Sequence, residues 1–207
     1  MVDGANRYVK FPCPFVHKRL FDYFARDLFR YVGQLYPPFA DLSDTITDDA
    51  LNVRNLLRRY ETYLRENRDW LLKDVPRRSD PSTSSGQALR IYEAVYHFNL
   101  YAYLDRLLLR RRGQALPEFP TGNGKVDLLL RYAGRPYAIE VKSYVDEYAY
   151  REALRQAARY AQQLGLSEIT LALFVEAVDD ASRAKYEAVY TDPATGVKVI
   201  PAFEATG

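Results

Sequence analysis

With one cysteine and two histidines among its 207 residues, the chain is short of the side chains that staple or metallate small folds. A single thiol, Cys13, forms no internal disulfide, and the expected location is therefore cytoplasmic. One thiol and two imidazoles also exclude the usual zinc sets of four Cys or His ligands. Cys13 lies between Pro12 and Pro14 and reads as a buried or partly buried thiol. No apolar run reaches the roughly 18 residues of a membrane span, so no membrane partner is expected. The opening Met1-Val2-Asp3-Gly4 lacks a signal-peptide pattern. The phosphate-binding signature GxxxxGK followed by Ser or Thr is missing too. Gly122-Asn123-Gly124-Lys125 runs on into Val126 and Asp127, and reads as a tight turn feeding a strand.

Hydrophobic residues make up 48% of the chain and aromatics 14%, with 18 Tyr, which is the composition of a globular protein of one or two domains. The net charge of +2 conceals an uneven distribution: residues 51–112 hold 13 basic and 7 acidic side chains, residues 113–207 hold 10 and 13. An acidic half beside a basic flank suits a metal-dependent enzyme of nucleic acid, since metal needs carboxylates and phosphates need Lys or Arg. An ordinary solvated helical surface accounts better for any single arginine, and Arg110-Arg111-Arg112 suit the end of a helix, where cations complement its dipole.

Periodicity predicts a helical N-terminal region over residues 1–78. Phe15, Leu20, Phe21, Phe24, Leu28, Phe29 and Val32 form an apolar stripe across Val16–Gly33, ended by Tyr36-Pro37-Pro38. Leu51, Val53, Leu56, Leu57, Tyr60, Tyr63, Leu64, Trp70 and Leu71 supply further helical faces, for packing rather than for base stacking. Residues 79–88, with Asp80-Pro81-Ser82-Thr83-Ser84-Ser85-Gly86-Gln87, read as a linker or flexible loop. The third part, 89–207, opens with one long helix from Leu89 to Arg112, closed by Gly113. In it Glu93 shares a face with Tyr96, His97 and Leu100, and His97 reads as a hydrogen-bonded core histidine. A second hairpin is expected near the end, with Tyr186–Tyr190 and Val197–Pro201 flanking Asp192-Pro193-Ala194-Thr195-Gly196.

The chemistry concentrates in Lys125 to Lys142, which reads as two apolar strands around Ala133-Gly134-Arg135-Pro136. A turn centred between Gly134 and Arg135 would set Asp127 opposite Lys142 and Leu129 opposite Glu140. Side chains alternate across a strand. Leu128, Leu130, Tyr132, Tyr137, Ile139 and Val141 then share one face, and Asp127, Arg131, Glu140 and Lys142 the other. Mg²⁺ takes oxygen ligands and is commonly held by one or two carboxylates plus substrate phosphate. Asp127 and Glu140 meet that need, and the backbone carbonyl of Val141 can add a third oxygen. Lys142 points to the same face, where its ammonium can orient an attacking water or offset charge on phosphorus. A salt bridge on a solvated strand would show the same three residues. The following segment favours the metal site. Ala153, Leu154, Ala157, Ala158, Ala161 and Leu164 mark a helix over Arg151–Leu164, Gln156 and Tyr160 share one of its faces, and Ile169–Val175 reads as a buried strand.

Residues 86–176 resemble the PD-(D/E)xK nuclease superfamily in this order of elements and in these positions. The superfamily carries an acid on its second core strand, ExK on the third, and often Gln and Tyr on the next helix. Asp127, Glu140-Val141-Lys142, Gln156 and Tyr160 stand at those places, although Val126 replaces the literal proline before the acid. The resemblance implies an α/β fold: a restriction-endonuclease-like core of helix, three-stranded meander, helix and strand, with a mixed sheet, preceded by the helical N-terminal region. A further acid on the first helix is common in the superfamily, and Glu93 is the candidate. The chain is more closely similar to the nuclease-like C-terminal region of a family of bacterial AAA-type ATPases, which carries Glu-x-Pro-x-Gly-x-Gly-(Arg/Lys)-x-Asp. Here that stretch is Glu118-Phe119-Pro120-Thr121-Gly122-Asn123-Gly124-Lys125-Val126-Asp127, and Glu118 rivals Glu93 as the additional acid.

The expectation is Mg²⁺- or Mn²⁺-dependent hydrolysis of phosphodiester bonds in nucleic acid, DNA before RNA. Asp127 and Glu140 would bind the metal with Val141, Lys142 would position water or charge, Gln156 would orient the site or contact phosphate, and Glu93 or Glu118 would complete the acids. The alternative is a non-catalytic module that keeps the fold and binds nucleic acid or protein, associated with an ATPase. A third is a purely structural domain whose aromatic N-terminal section forms a homo-oligomer.

Overall fold

In the computed structural model, residues 18–20, 22, 23, 41–73, 75, 77–79, 89–122 and 124–207 are described. Cys13, most of the expected helix over Val16–Gly33, the Tyr36-Pro37-Pro38 stop, the Asp80–Gln87 linker and Asn123 lie outside them. The helices are α1 (Val53–Glu66), α2 (Arg68–Leu71), α3 (Glu93–Leu109), α4 (Glu147–Gln163) and α5 (Asp180–Tyr186). The strands are β1 (Arg77–Ser79), β2 (Leu89–Ile91), β3 (Gln114–Pro120), β4 (Lys125–Tyr132), β5 (Arg135–Ser143), β6 (Glu168–Val175), β7 (Tyr190–Thr191) and β8 (Lys198–Ala205). The chain is an α/β protein. Six strands form one open mixed sheet in the order β3-β4-β5-β6-β8-β7, with β5, β6 and β8 parallel and the other pairings antiparallel. β1 and β2 pair separately.

Two expected elements differ. The long helix begins at Glu93 rather than Leu89, because Leu89–Ile91 is drawn into the β1–β2 ribbon, and it ends at Leu109. Within the second hairpin, residues up to Tyr186 continue α5, whose Asp179 cap accepts the Ser182 N–H, and only Tyr190–Thr191 pair with β8.

The sheet is covered on both faces. On one, Leu128, Leu130, Ile139, Val141 and Phe174 pack with Leu56, Leu57, Tyr60 and Leu64 of α1 and Leu100, Leu104 and Leu108 of α3. Tyr96 stacks on Phe174 there, centroids 4.5 Å apart. On the other, Leu129, Ala138, Leu171 and Leu173 pack under Ala153, Leu154, Ala157, Ala158 and Ala161 of α4. The alanines let α4 lie close, and Asp146 caps it by accepting the Ala149 N–H at 2.7 Å. The polar residues of β4 and β5 are therefore not on a solvated face but at the end of a buried one.

β7 is so short that most of β8 is a sheet edge, and side chains close it. The Phe203 N–H donates to Glu187 and the Ala205 N–H to Glu61, both at 2.8 Å. The Phe203 carbonyl accepts from Arg58 and Arg183, both at 2.6 Å, and Pro201 presents its carbonyl to Arg54 at 3.1 Å. Arg58 also pairs with Glu187, and Arg183 with Glu61. Glu204, on the inward side, is 0% exposed. Among the described residues neither of its carboxylate oxygens has a hydrogen-bond partner, and Arg58 Nη1 lies 3.6 Å from Oε1.

Candidate metal centre

The β4–β5 hairpin turns on two residues, Ala133 and Gly134, with φ of 48° and 75°. Two consecutive positive φ angles match the twist of flanking strands and fix a tight register. Tyr132 faces Arg135, Leu129 faces Ala138 and Leu128 faces Ile139. The expected pairing of Leu129 with Glu140 and Asp127 with Lys142 is thus corrected by two residues. A shift of two leaves every side chain on its own face.

The corrected register puts Asp127 beside Glu140. In β3, Pro117 pairs with Leu128 and Phe119 with Val126, so Glu118 falls opposite Asp127 from the other side. Three acids therefore line up across three neighbouring strands. Glu118 has φ of 52°, a left-handed conformation disfavoured for a residue with a Cβ. The β4–β5 ladder stops at Leu128–Ile139 because the Asp127 carboxylate takes over: its Oδ2 accepts the Val141 N–H at 2.8 Å. What Val141 is seen to bring to Asp127 is this N–H, whereas its carbonyl was the expected ligand.

His97, on the face of α3 toward the sheet, joins the acids. Its Nε2 lies 2.9 Å from the Asp127 carbonyl, which can only accept, so the proton sits on Nε2. Nδ1 is then turned toward Glu118, 3.8 Å from Oε1. Burial holds the imidazole below its ordinary pKa, against the raising effect of Asp127, and the ring is neutral near pH 7. One ligand atom each from His97, Glu118 and Asp127 lie within 4.8 Å of one another. In the sequence His97 reads as a core histidine, although it lies one helical turn from Glu93.

Glu140 is 2% exposed, with one oxygen, Oε1, 2.9 Å from Lys142 Nζ and the other, Oε2, buried without a partner among the described residues. Burial and the charge of Asp127 push its carboxyl up to about 7, with Lys142 opposing. Burial would lower Lys142, yet Glu140, Asp127 and Glu93 together hold its ammonium above the ordinary lysine value. Lys125 lies on the other flank, paired with Glu118, and burial lowers its pKa.

Glu93 sits further out. Its Oε2 accepts the Ser143 N–H at 2.9 Å and its Oε1 is 3.7 Å from Lys142 Nζ, so it ties the start of α3 to the end of β5. Between the two rival acids, Glu118 is in the His97–Asp127 group and Glu93 is not. Gln156 donates to the Tyr160 hydroxyl at 2.8 Å. Tyr160 in turn packs on the β3–β4 turn, where a Cβ added to Gly124 would meet its ring at 2.8 Å.

The donor set fits a divalent cation. It combines the Glu118 and Asp127 carboxylates with a neutral imidazole; the orphaned Glu140 oxygen belongs to the neighbouring strand, outside that group, and a buried anion without a partner is costly unless paired or coordinated. Among the described residues no helix is long and apolar enough to cross a membrane. Compared with protein-family models, curated proteins and solved structures, the chain matches none.

Proposed function

We propose that this chain is a metal-dependent phosphodiesterase of nucleic acid, of the PD-(D/E)xK type on a restriction-endonuclease-like core, with DNA as the expected substrate. The observation that carries this reading is the alignment of Glu118, Asp127 and Glu140 on three adjacent strands beside Lys142. Asp127 and Glu140 would hold the cation, with Glu118 and His97 as flanking ligands. A divalent cation bound there would lower the pKa of a water and offset charge on a phosphodiester. Lys142, kept protonated by its three carboxylate neighbours, would steer that water or the developing negative charge. Gln156 would orient a phosphate from α4, and Glu93 would hold Lys142 from the far side rather than bind metal. Mg²⁺ suits the carboxylates, and an imidazole nitrogen in the set shifts preference toward Mn²⁺.

A second reading, a non-catalytic nucleic-acid or protein-binding module associated with an ATPase, draws on a different observation. Lys125 already neutralises Glu118, and Lys142 neutralises Glu140. That is also how a site that had lost its metal would be held together. Cleavage of labelled DNA and RNA strands with Mg²⁺ or Mn²⁺ separates the two. Activity in the wild type that is lost in both Asp127→Ala and Lys142→Ala supports the enzyme. Equal activity in all three, or none in any, overturns it.

A further inference from the structure

A cleft of about 390 Å³ lies between the β3–β4–β5 hairpins and the end of α4. Phe119, Leu129, Leu164 and Leu166 make its apolar walls, and Arg131 and Arg135 stand at its rim. Phe119 directly follows Glu118, so the cleft begins one residue from the candidate metal ligands. Arg131 lies four residues along β4 from Asp127, about 13 Å at the usual strand rise. The Arg131 guanidinium sits over the Phe119 ring, 5.9 Å from its centroid. Both arginines are exposed, and among the described residues neither is in an ion pair. No acidic residue occurs from Leu128 to Ile139.

An apolar, aromatic-walled cleft with two guanidiniums at its mouth, neither in an ion pair among the described residues and one lying over the aromatic wall, calls for a ligand that is flat and apolar in one part and anionic in another. A nucleotide has that division: the base has a π-face that stacks on an aromatic ring, and the phosphate takes Arg bidentately. A base within a duplex is stacked and paired, and cannot enter a cleft between a strand and a helix unless it is extruded. We propose that this cleft receives an unpaired nucleotide of a single-stranded nucleic acid, its base against Phe119 and its flanking phosphates on Arg131 and Arg135. The proposal rests on the phosphodiesterase reading for the direction of the strand, which would run from the acid cluster along β4 to the hairpin turn. The cleft thereby names the substrate as single-stranded, at least on one side of the bond that is cut.

Binding can be read without cutting. Anisotropy of a fluorescein-labelled oligothymidylate, titrated in EDTA over a range of salt, measures affinity and its salt dependence for the full chain. The wild type should bind the single strand more tightly than the matching duplex. R131Q/R135Q should weaken binding at least about tenfold and reduce the log–log salt slope by about 1.4, since each phosphate contact on a single strand contributes about 0.7. F119A should cost about tenfold with the slope kept, the expected size of one lost stacking contact. R131K/R135K retains the charge and should keep the slope, which guards against a folding defect in the glutamine variant. Unchanged affinity and slope in R131Q/R135Q, equal binding of duplex, no binding of the single strand by the wild type, or displacement by polyglutamate as effective as by oligonucleotide would each overturn the proposal. Failure of the catalytic reading looks different: intact binding in EDTA with no cleavage in Mn²⁺. Cleavage with binding unchanged in R131Q/R135Q would sink the cleft alone.

Discussion

Replacing Glu204 with glutamine should remove a large part of the pH dependence of this protein's stability. The side chain is wholly buried on β8, where the carboxylate would face Arg58 at 3.6 Å, with Arg183 also attracting it, and would be repelled by Glu61 and Glu187. Burial pushes its carboxyl from 4.5 up to about 8, with Arg58 and Arg183 opposing and the two glutamates adding. Because the folded-state value is raised, the native chain holds this proton more tightly than the unfolded chain. The stabilisation is complete below about pH 4.5 and is lost as pH rises through about 8. At about 1.4 kcal/mol per unit, full ionisation costs about 5 kcal/mol. Between about pH 5.5 and 8.5 the loss is about 3 kcal/mol, a sizeable share of the 5–15 kcal/mol typical of a domain. Urea unfolding across that range should show wild-type stability falling while E204Q changes about 3 kcal/mol less. In thermal melts the same difference is roughly 6–12 °C at a chain length near 200. Parallel pH profiles for wild type and E204Q would refute the argument, since they would mean that Glu204 is either solvated or ionised throughout.

Three further outcomes follow from the candidate centre. Asp127→Asn keeps an acceptor for the Val141 N–H and should fold normally by circular dichroism, yet lose divalent-cation affinity and cut about 100-fold more slowly or worse. His97→Gln should weaken Mn²⁺ binding in calorimetry by more than it weakens Mg²⁺ binding, because an imidazole nitrogen favours the transition metal; equal losses would remove His97 from the ligand set. Gly124→Ala should push Tyr160 off the β3–β4 turn and break its hydrogen bond with Gln156, costing about 1–3 kcal/mol in urea unfolding; a neutral change would show that the ring swings away freely.

How far the chain could be read from its residues depended on the period of each pattern. The period of two in β4 and β5 put Asp127, Glu140 and Lys142 on one face, and a register error of two residues left that intact. The error itself came from Arg135-Pro136. Proline suggests a turn, but Pro136 pairs with Arg131 at a point where β5 has not yet met β6, so its missing N–H costs no ladder bond there. Pro201 misled in the same way. The expected strand ended at it, whereas β8 runs through to Ala205, and odd-numbered positions there point their backbone groups to the sheet edge. The three-residue strands β1 and β2 carry too little pattern to register. His97 and Glu118 became neighbours only through the packing of α3 on the sheet and the left-handed turn at Glu118, neither of which leaves a periodic trace. Nor does a sequence show that Glu204 lies inside an arginine-lined edge contributed by α1 and α5, more than a hundred residues apart.

The most direct test of the central claim is an anomalous-scattering map from crystals of this protein soaked in Mn²⁺. The account predicts one strong peak among Asp127, Glu118, His97 and Glu140, with Lys125 withdrawn from Glu118 and Lys142 retained beside Glu140. An absence of any peak at saturating Mn²⁺, with both lysines still seated on the carboxylates, would contradict it.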